Sequence, residues 1–190
     1  NDIIRFKEGI SKEDLILERT GNYGRDLLIK IKDTKDQITV SGMFLDNDGE
    51  KLFDYNFINK FEFSDGSSLS ADDIKNMMLN QKSNEGTVIH GFYTDDTISG
   101  GSGNDTVYAK GGNDIVNGNA GNDTLYGNEG DDILEGGAGN DYLCGGEGDD
   151  TYVFGRGDGA DTINNGDGSK NRNDIIRFKE GISKEDLILE

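Results

Sequence analysis

The chain has 190 residues, with 38 acidic and 19 basic side chains, 29 glycines, one cysteine, one histidine, no proline and no tryptophan. Apolar residues make up 32%, against roughly 45–50% in ordinary globular domains, which excludes a conventional large core. The formal charge of −19 excludes nucleic acid and anionic membrane surfaces as partners, since both repel a polyanion. One Cys excludes an internal disulfide framework and a thiolate metal cluster, one His excludes multi-histidine zinc sites, and no apolar run of about 18 residues forms a transmembrane segment.

Residues 1–90 read as a small β-rich flanking or capping module. Strand-like runs occur at Ile3–Phe6, Leu15–Glu18, Leu27–Lys32, Ile38–Phe44 and Phe57–Phe63, separated by Gly, Asp or Asn turns. Ser11 with Asp14 suits the cap of a short helical turn, and Ser70 with Asp73 starts one helix through about Leu79. Asp46-Asn47-Asp48-Gly49 has the opening of an EF-hand loop. Such a loop needs a bidentate Glu at its twelfth place, where Phe57 stands, so the segment reads as a turn.

From residue 91 the composition changes. Residues 91–161 hold 19 of the glycines and 15 acidic groups, against only Lys110 and Arg156. An irregular segment of this kind would be disordered. This one is regular: residues 91–153 fall into rows of nine, GFYTDDTIS, GGSGNDTVY, AKGGNDIVN, GNAGNDTLY, GNEGDDILE, GGAGNDYLC and GGEGDDTYV. The sixth place is always Asp: Asp96, Asp105, Asp114, Asp123, Asp132, Asp141 and Asp150. The eighth is always apolar: Ile98, Val107, Val116, Leu125, Leu134, Leu143 and Tyr152. A second repeat is longer. Residues 1–18 recur unchanged at 173–190, so the unit is 172 residues and the chain is one unit plus the start of the next; the expected parent is a larger protein with tandem copies.

Each row suggests six loop residues and a three-residue strand whose middle side chain points inward. Two rows per coil place rows n and n+2 on the same side. Asp96, Asp114, Asp132 and Asp150 then line one edge, and Asp105, Asp123 and Asp141 the other. Strands about 4.8 Å apart would stack these carboxylates into repulsive columns unless a cation lies between them. Turn carbonyls without sheet partners need satisfying as well. A hard cation with six to eight oxygen ligands meets both needs, and calcium suits a flexible carbonyl cage better than magnesium.

The rows resemble GGxGxDxUx, the nonapeptide of the RTX haemolysin-type calcium-binding proteins. The resemblance implies a mostly β fold: a right-handed parallel β-roll with bound calcium over 91–172, preceded by the flanking module. It implies ions held between rows n and n+2 by the sixth-place Asp and by carbonyls at places one to four. In the second row these are Gly100, Gly101, Ser102 and Gly103, and in the third Ala109, Gly111 and Gly112. The fourth row supplies Gly118, Asn119, Ala120 and Gly121, and the fifth Gly127, Asn128, Glu129 and Gly130. The sixth supplies Gly136, Gly137, Ala138 and Gly139, and the seventh Gly145 and Glu147. Roughly five to seven ions are expected. Lys110 and Asn119 depart from Gly at the second place, and Phe92 and Thr94 leave the site at Asp96 incomplete. The tail at 154–171 resembles the closing segment of such rolls, with Asp161 a better candidate than Asp158 for a last site. DIIRFKEGISKEDLILERTGNYGRDLLIKIKDTKDQITVSGMF and KFEFSDGSSLSADDI resemble the haemolysin-type calcium-binding-related region of iron-regulated RTX proteins.

Coil ends expose strand edges, so repeat folds need caps. Residues 173–190, the start of the next unit, are expected to close the roll with Ile175, Ile176 and Phe178 as a plug, and the two identical 18-mers to differ in packing partner. His90 reads as a surface residue, and Cys144 as a spare thiol at an outward ninth place. Tyr108 and Tyr126 should stack on one sheet face. HExxH, GxSxG and a phosphate loop are absent, so no catalytic residues are assigned and the chain is not read as an enzyme. The RTX resemblance implies type I secretion to an extracellular location. The expected role is a calcium-dependent structural or adhesive spacer whose partners are calcium and neighbouring copies. The alternative is a receptor- or surface-binding segment of an RTX toxin.

Overall fold

The computed structural model describes residues 2–20, 25–44, 58–166 and 172–188. Two compact units emerge, Asn1–Met78 and Leu79–Glu190. The first contains β1 (Asp2–Arg5), β2 (Leu15–Thr20), β3 (Asp26–Ile31), β4 (Gln37–Val40), β5 (Ile58–Glu62), β6 (Ser68–Ser70) and all but the last residue of the helix α1 (Ala71–Leu79). β2, β3 and β4 form an antiparallel meander in which Leu17 faces Ile29 and Arg19 faces Leu27. Period-two alternation buries Leu15, Leu17, Leu27 and Ile29. A separate sheet runs β1-β5-β6, with β1 parallel to β5. Phe6 stacks on Phe63 at 5.2 Å and meets Phe61 edge-on at 5.5 Å. Both expected caps form. Asp14 Oδ2 accepts from the Ser11 N–H and hydroxyl before the 3₁₀ turn Lys12–Asp14, and Asp73 Oδ2 does the same for Ser70 before α1. Asp46–Gly49 and Phe57 lie outside the described residues.

The second unit is a parallel β-roll. Its strands are β7 (Asn80–Ser83), β8 (Val88–His90), β9 (Thr97–Gly101), β10 (Thr106–Gly111), β11 (Ile115–Ala120), β12 (Thr124–Glu129), β13 (Ile133–Ala138), β14 (Tyr142–Glu147), β15 (Thr151–Phe154), β16 (Thr162–Ile163) and β17 (Ile175–Phe178). Alternate strands separate into two sheets, β16-β14-β12-β10-β8 and β17-β15-β13-β11-β9-β7. Val107 pairs with Leu125 and Val116 with Leu134, an 18-residue stagger that puts row n beside row n+2. Between the sheets lie Ile98, Val107, Val116, Leu125, Leu134, Leu143 and Tyr152, all at most 2% exposed.

Three expectations need correcting. The full inner strands have six residues rather than three, because each runs on through the first three places of the next row. The paired region starts before Gly91: β8 joins β10 through Ile89↔Val107, and β7 joins β9. Thr87 takes the place of Asp in this earlier row, which hid it from the period. Lastly, Ile175, Ile176 and Phe178 do not plug the roll. They sit in β17, paired with β15, and remain 43%, 52% and 38% exposed.

Candidate metal centre

The eighth-place side chain faces inward, so the sixth-place Asp, two residues earlier in the row, is turned into the bend. There Asp96, Asp105, Asp114, Asp123, Asp132, Asp141 and Asp150 are at most 4% exposed. They form two ladders. Along one edge the backbone N–H of Asp96 donates to Asp114 Oδ1 (2.7 Å), Asp114 to Asp132 (2.7 Å), Asp132 to Asp150 (3.0 Å) and Asp150 to Asp174 (2.9 Å). Along the other, Thr87 donates to Asp105 Oδ1 (2.7 Å), Asp105 to Asp123 (2.7 Å), Asp123 to Asp141 (2.8 Å) and Asp141 to Asp161 (3.1 Å).

Each ladder engages only Oδ1. Asp174 Oδ2 lies 2.9 Å from Arg172 Nε, whereas the Oδ2 atoms of Asp105, Asp114, Asp123, Asp132 and Asp141 are buried with no hydrogen-bond partner. Such an atom is costly to bury unless something positive meets it. Burial pushes Asp114 up to about 8, against one backbone hydrogen bond that lowers it, and the charges of Asp132 and Asp96 push the same way. Asp132 rises to about 7 and Asp123 to about 6 for the same first reason. Asp141 and Asp161 are also raised by burial.

What faces the orphaned oxygens is backbone. A methyl group added at Gly100 would lie 2.6 Å from Asp105 Oδ2 and 2.9 Å from the Gly118 carbonyl oxygen. The same cradle of carboxylate oxygen and place-one carbonyl recurs at Gly118 with Asp123 and Gly136, and at Gly127 with Asp132 and Gly145. Strand pairing lapses there. It passes from Tyr108↔Tyr126 to Lys110↔Asn128 with no bridge between Ala109 and Gly127. Place two turns left-handed in every row from the second on: Gly101, Lys110, Asn119, Asn128, Gly137 and Gly146 all have positive φ. At place three, the carbonyls of Ala138 and Glu147 each accept one backbone N–H, from Gly121 and Gly130 at 2.9 Å, leaving a second lone pair on each. Among the described residues no three His, Cys, Asp or Glu side chains converge. An ion here would therefore draw most of its ligands from main-chain oxygens, as hard cations accept. The donor set is all oxygen, and the orphaned carboxylate oxygens and the place-one carbonyls lie around the same glycines, where the bridge register skips a pair.

Of the other candidates, Asp96 already accepts from Phe92 N–H at 2.7 Å and from the Thr94 hydroxyl, which fits an incomplete first site. Asp161 continues a ladder. Asp158 instead accepts from Gly155 N–H (2.6 Å) and pairs with Lys179 (3.1 Å). The sequence reading missed Asp174, although Asn173-Asp174-Ile175-Ile176 repeats the Asn104-Asp105-Thr106-Val107 pattern. It also missed the fifth place, Asn or Asp in all seven rows. These side chains build a second ladder in the opposite direction, Asn104 Oδ1 accepting from Asn122 N–H and Asn122 from Asn140, both at 2.8 Å. Tyr108 and Tyr126 do stack, at 5.1 Å, between His90 and Tyr142.

Comparison with known proteins agrees with this geometry. Residues 90–125 and 117–152 match the RTX calcium-binding nonapeptide repeat, and residues 26–73 match the haemolysin-type calcium binding protein related domain. The chain is 38% identical over 104 residues to the iron-regulated protein FrpA of Neisseria meningitidis serogroup C. That match covers 54% of this chain and 8% of the relative, so the chain spans a small part of the protein it resembles. With their paired parallel sheets and buried aspartate ladders, residues 90–152 carry the RTX calcium-binding nonapeptide repeat.

Proposed function

We propose that the chain is a calcium-dependent folding module of a tandem-repeat RTX protein exported by type I secretion, acting outside the cell as a structural or adhesive spacer. One observation carries this reading: five buried Oδ2 atoms in two columns, those of Asp105, Asp123 and Asp141 and of Asp114 and Asp132, have no hydrogen-bond partner. Without ions the columns oppose folding; with ions between rows n and n+2 they hold the bends together. Asp105 with Asp123, Asp123 with Asp141, Asp114 with Asp132 and Asp132 with Asp150 would form the inner sites, with carbonyls at places one to four completing them. Extracellular calcium modules bind at about 10⁻⁴–10⁻³ M, far above cytosolic calcium. Such a chain stays extended inside the cell and folds after export. No proline delays that step by slow isomerisation.

Circular dichroism against calcium concentration tests the reading, with magnesium as control. Strand signal should appear with calcium at millimolar levels and not with equal magnesium. A roll that forms equally well in chelator sinks it. A receptor-binding role has one observation in its favour, the His90-Tyr108-Tyr126-Tyr142 aromatic row, in which Tyr108 is 36% exposed. Binding of calcium-folded protein to cells, lost on Tyr108→Ser, would favour it over a passive spacer.

A further inference from the structure

The identical 18-mers fold into the same local shapes with different neighbours. Both make a strand and then a 3₁₀ turn boxed by Ser and Asp, Ser11 with Asp14 and Ser183 with Asp186. Yet β1 pairs with β5, whereas β17 pairs with β15.

The two copies use opposite edges. Backbone N–H groups alternate sides along a strand. In the first copy Phe6 N–H donates to Glu62 O at 2.8 Å, so the even-numbered amides face β5. In the second, Ile175 N–H donates to Asp150 O and Lys179 N–H to Phe154 O, both at 2.9 Å. Those residues correspond to Ile3 and Lys7, the odd-numbered set. Neither pairing blocks the other.

The side chains agree on which face is the core. Ile4 lies beside Phe61, and Phe6 packs on Phe61 and Phe63. In the second copy Ile176 lies beside Tyr152 and Phe178 beside Phe154. Even-numbered side chains face apolar neighbours in both. What differs is cover: Phe6 is 7% exposed and Leu15 4%, whereas their counterparts Phe178 and Leu187 are 38% and 42% exposed. The aspartates differ in the reverse sense. Asp174 joins the roll's ladder and pairs with Arg172 at 2.9 Å, its side chain buried, whereas its counterpart Asp2 is exposed.

We infer that in a tandem chain a single copy of this segment does both jobs at once. The strand Ile175–Phe178 closes one roll through its odd-numbered amides and opens the next unit's module through its even-numbered ones. The occupant of its second edge is the next copy's Ile58–Glu62 strand, with Phe61 and Phe63 covering Phe178 as they cover Phe6. The six-stranded roll sheet and the three-stranded β1-β5-β6 sheet then merge into one eight-stranded sheet across the junction. Successive units are welded by shared backbone hydrogen bonds instead of being strung on a linker. This rests on the tandem-array reading above and adds how the copies join.

The test is residue-resolved amide hydrogen exchange in calcium on a two-unit chain, residues 1–172 followed by 1–190, with the middle 18-mer segmentally labelled. The terminal copies should protect alternate amides, Ile4 and Phe6 in the first, Ile175, Arg177 and Lys179 in the last. The middle copy should protect both sets, giving an unbroken run of five. A second chain, with the 18-mer duplicated around a Gly-Ser linker, should return to alternate protection in both inner copies. Alternate protection in the middle copy of the first chain, with calcium-induced roll signal intact, overturns the shared strand and leaves the calcium reading standing. No calcium-induced protection anywhere in the rolls overturns both.

Discussion

A buried carboxylate in this roll does two things that conflict. Its Oδ1 accepts a neighbour's backbone N–H, which favours the charged form, and its Oδ2 is buried in the bend, which does not. Burial prevails, so Asp114 sits near 8 and Asp132 near 7, well above the ordinary 3.8. The consequence for metal-free protein follows from linkage. A carboxyl raised on folding contributes stability that is complete below its unfolded value and is lost as pH rises through its folded value. In chelator, then, the roll should gain structure as pH falls from about 8 toward 5, opposite to ordinary acid denaturation. Dichroism in chelator at the two ends of that range checks this, and an unchanged or falling strand signal contradicts it. Asp114→Asn separates the local effect from net charge. The amide keeps the acceptor for Asp96 N–H and carries no charge, so the metal-free roll should be steadier at pH 8 while the calcium midpoint rises several-fold.

At the scale of the element, the bends set the constraint. Gly121 has φ +128°, and a Cβ there would run into the Gly103 carbonyl of the row below. A left-handed residue costs about 1–2 kcal/mol, and overpacking against backbone adds about 1–3 kcal/mol. Gly121→Ala should therefore destabilise the calcium-loaded roll by about 3 kcal/mol in a denaturant titration. Gly157→Ala, with positive φ but open space around it, should cost only the backbone share. Equal losses would mean that the close approach of the rows is not the limit. How much of this was legible follows from the same geometry. The columns and the n to n+2 stacking were readable because every turn imposes the same contact, so the sequence repeats it at Asp105, Asp114 and Asp123. The strand lengths were not, because Gly, Lys and Asn at places one to three carry no β signal and pair only through their backbone. Thr87 hid the first row, since a hydroxyl there donates to Asp105 just where an Asp was expected. β6 went unseen because Ser68–Ser70 is too short for its one buried residue, Leu69, to show a period. Asp174 lay 24 residues past Asp150 instead of 18, beyond an insertion that breaks the count.

Over the whole molecule, the roll is one-dimensional. Each row touches its neighbours and little else, so stability is close to a sum of row and interface contributions. The effect of losing one carboxylate should then depend on where it stands. Asp123 is interior to its column: its Oδ1 receives Asp105 N–H, and its own N–H reaches Asp141. If ions lie between successive column members, Asp123→Ala damages two sites and splits the array. Asp161 accepts from Asp141 N–H at the column's far end, so Asp161→Ala damages one site and leaves the rest continuous. Calcium titrations should show a several-fold higher midpoint and a shallower transition for Asp123→Ala, and a smaller shift with the slope kept for Asp161→Ala. Asp33→Gly is the control. Asp33 lies in the first unit at φ 58°, a conformation glycine adopts freely, so the calcium midpoint should not move. Equal midpoints and slopes for the interior and terminal variants would mean that the rows bind independently. Folding would then spread along the roll through its apolar seam alone, with the aspartate columns contributing affinity without cooperativity.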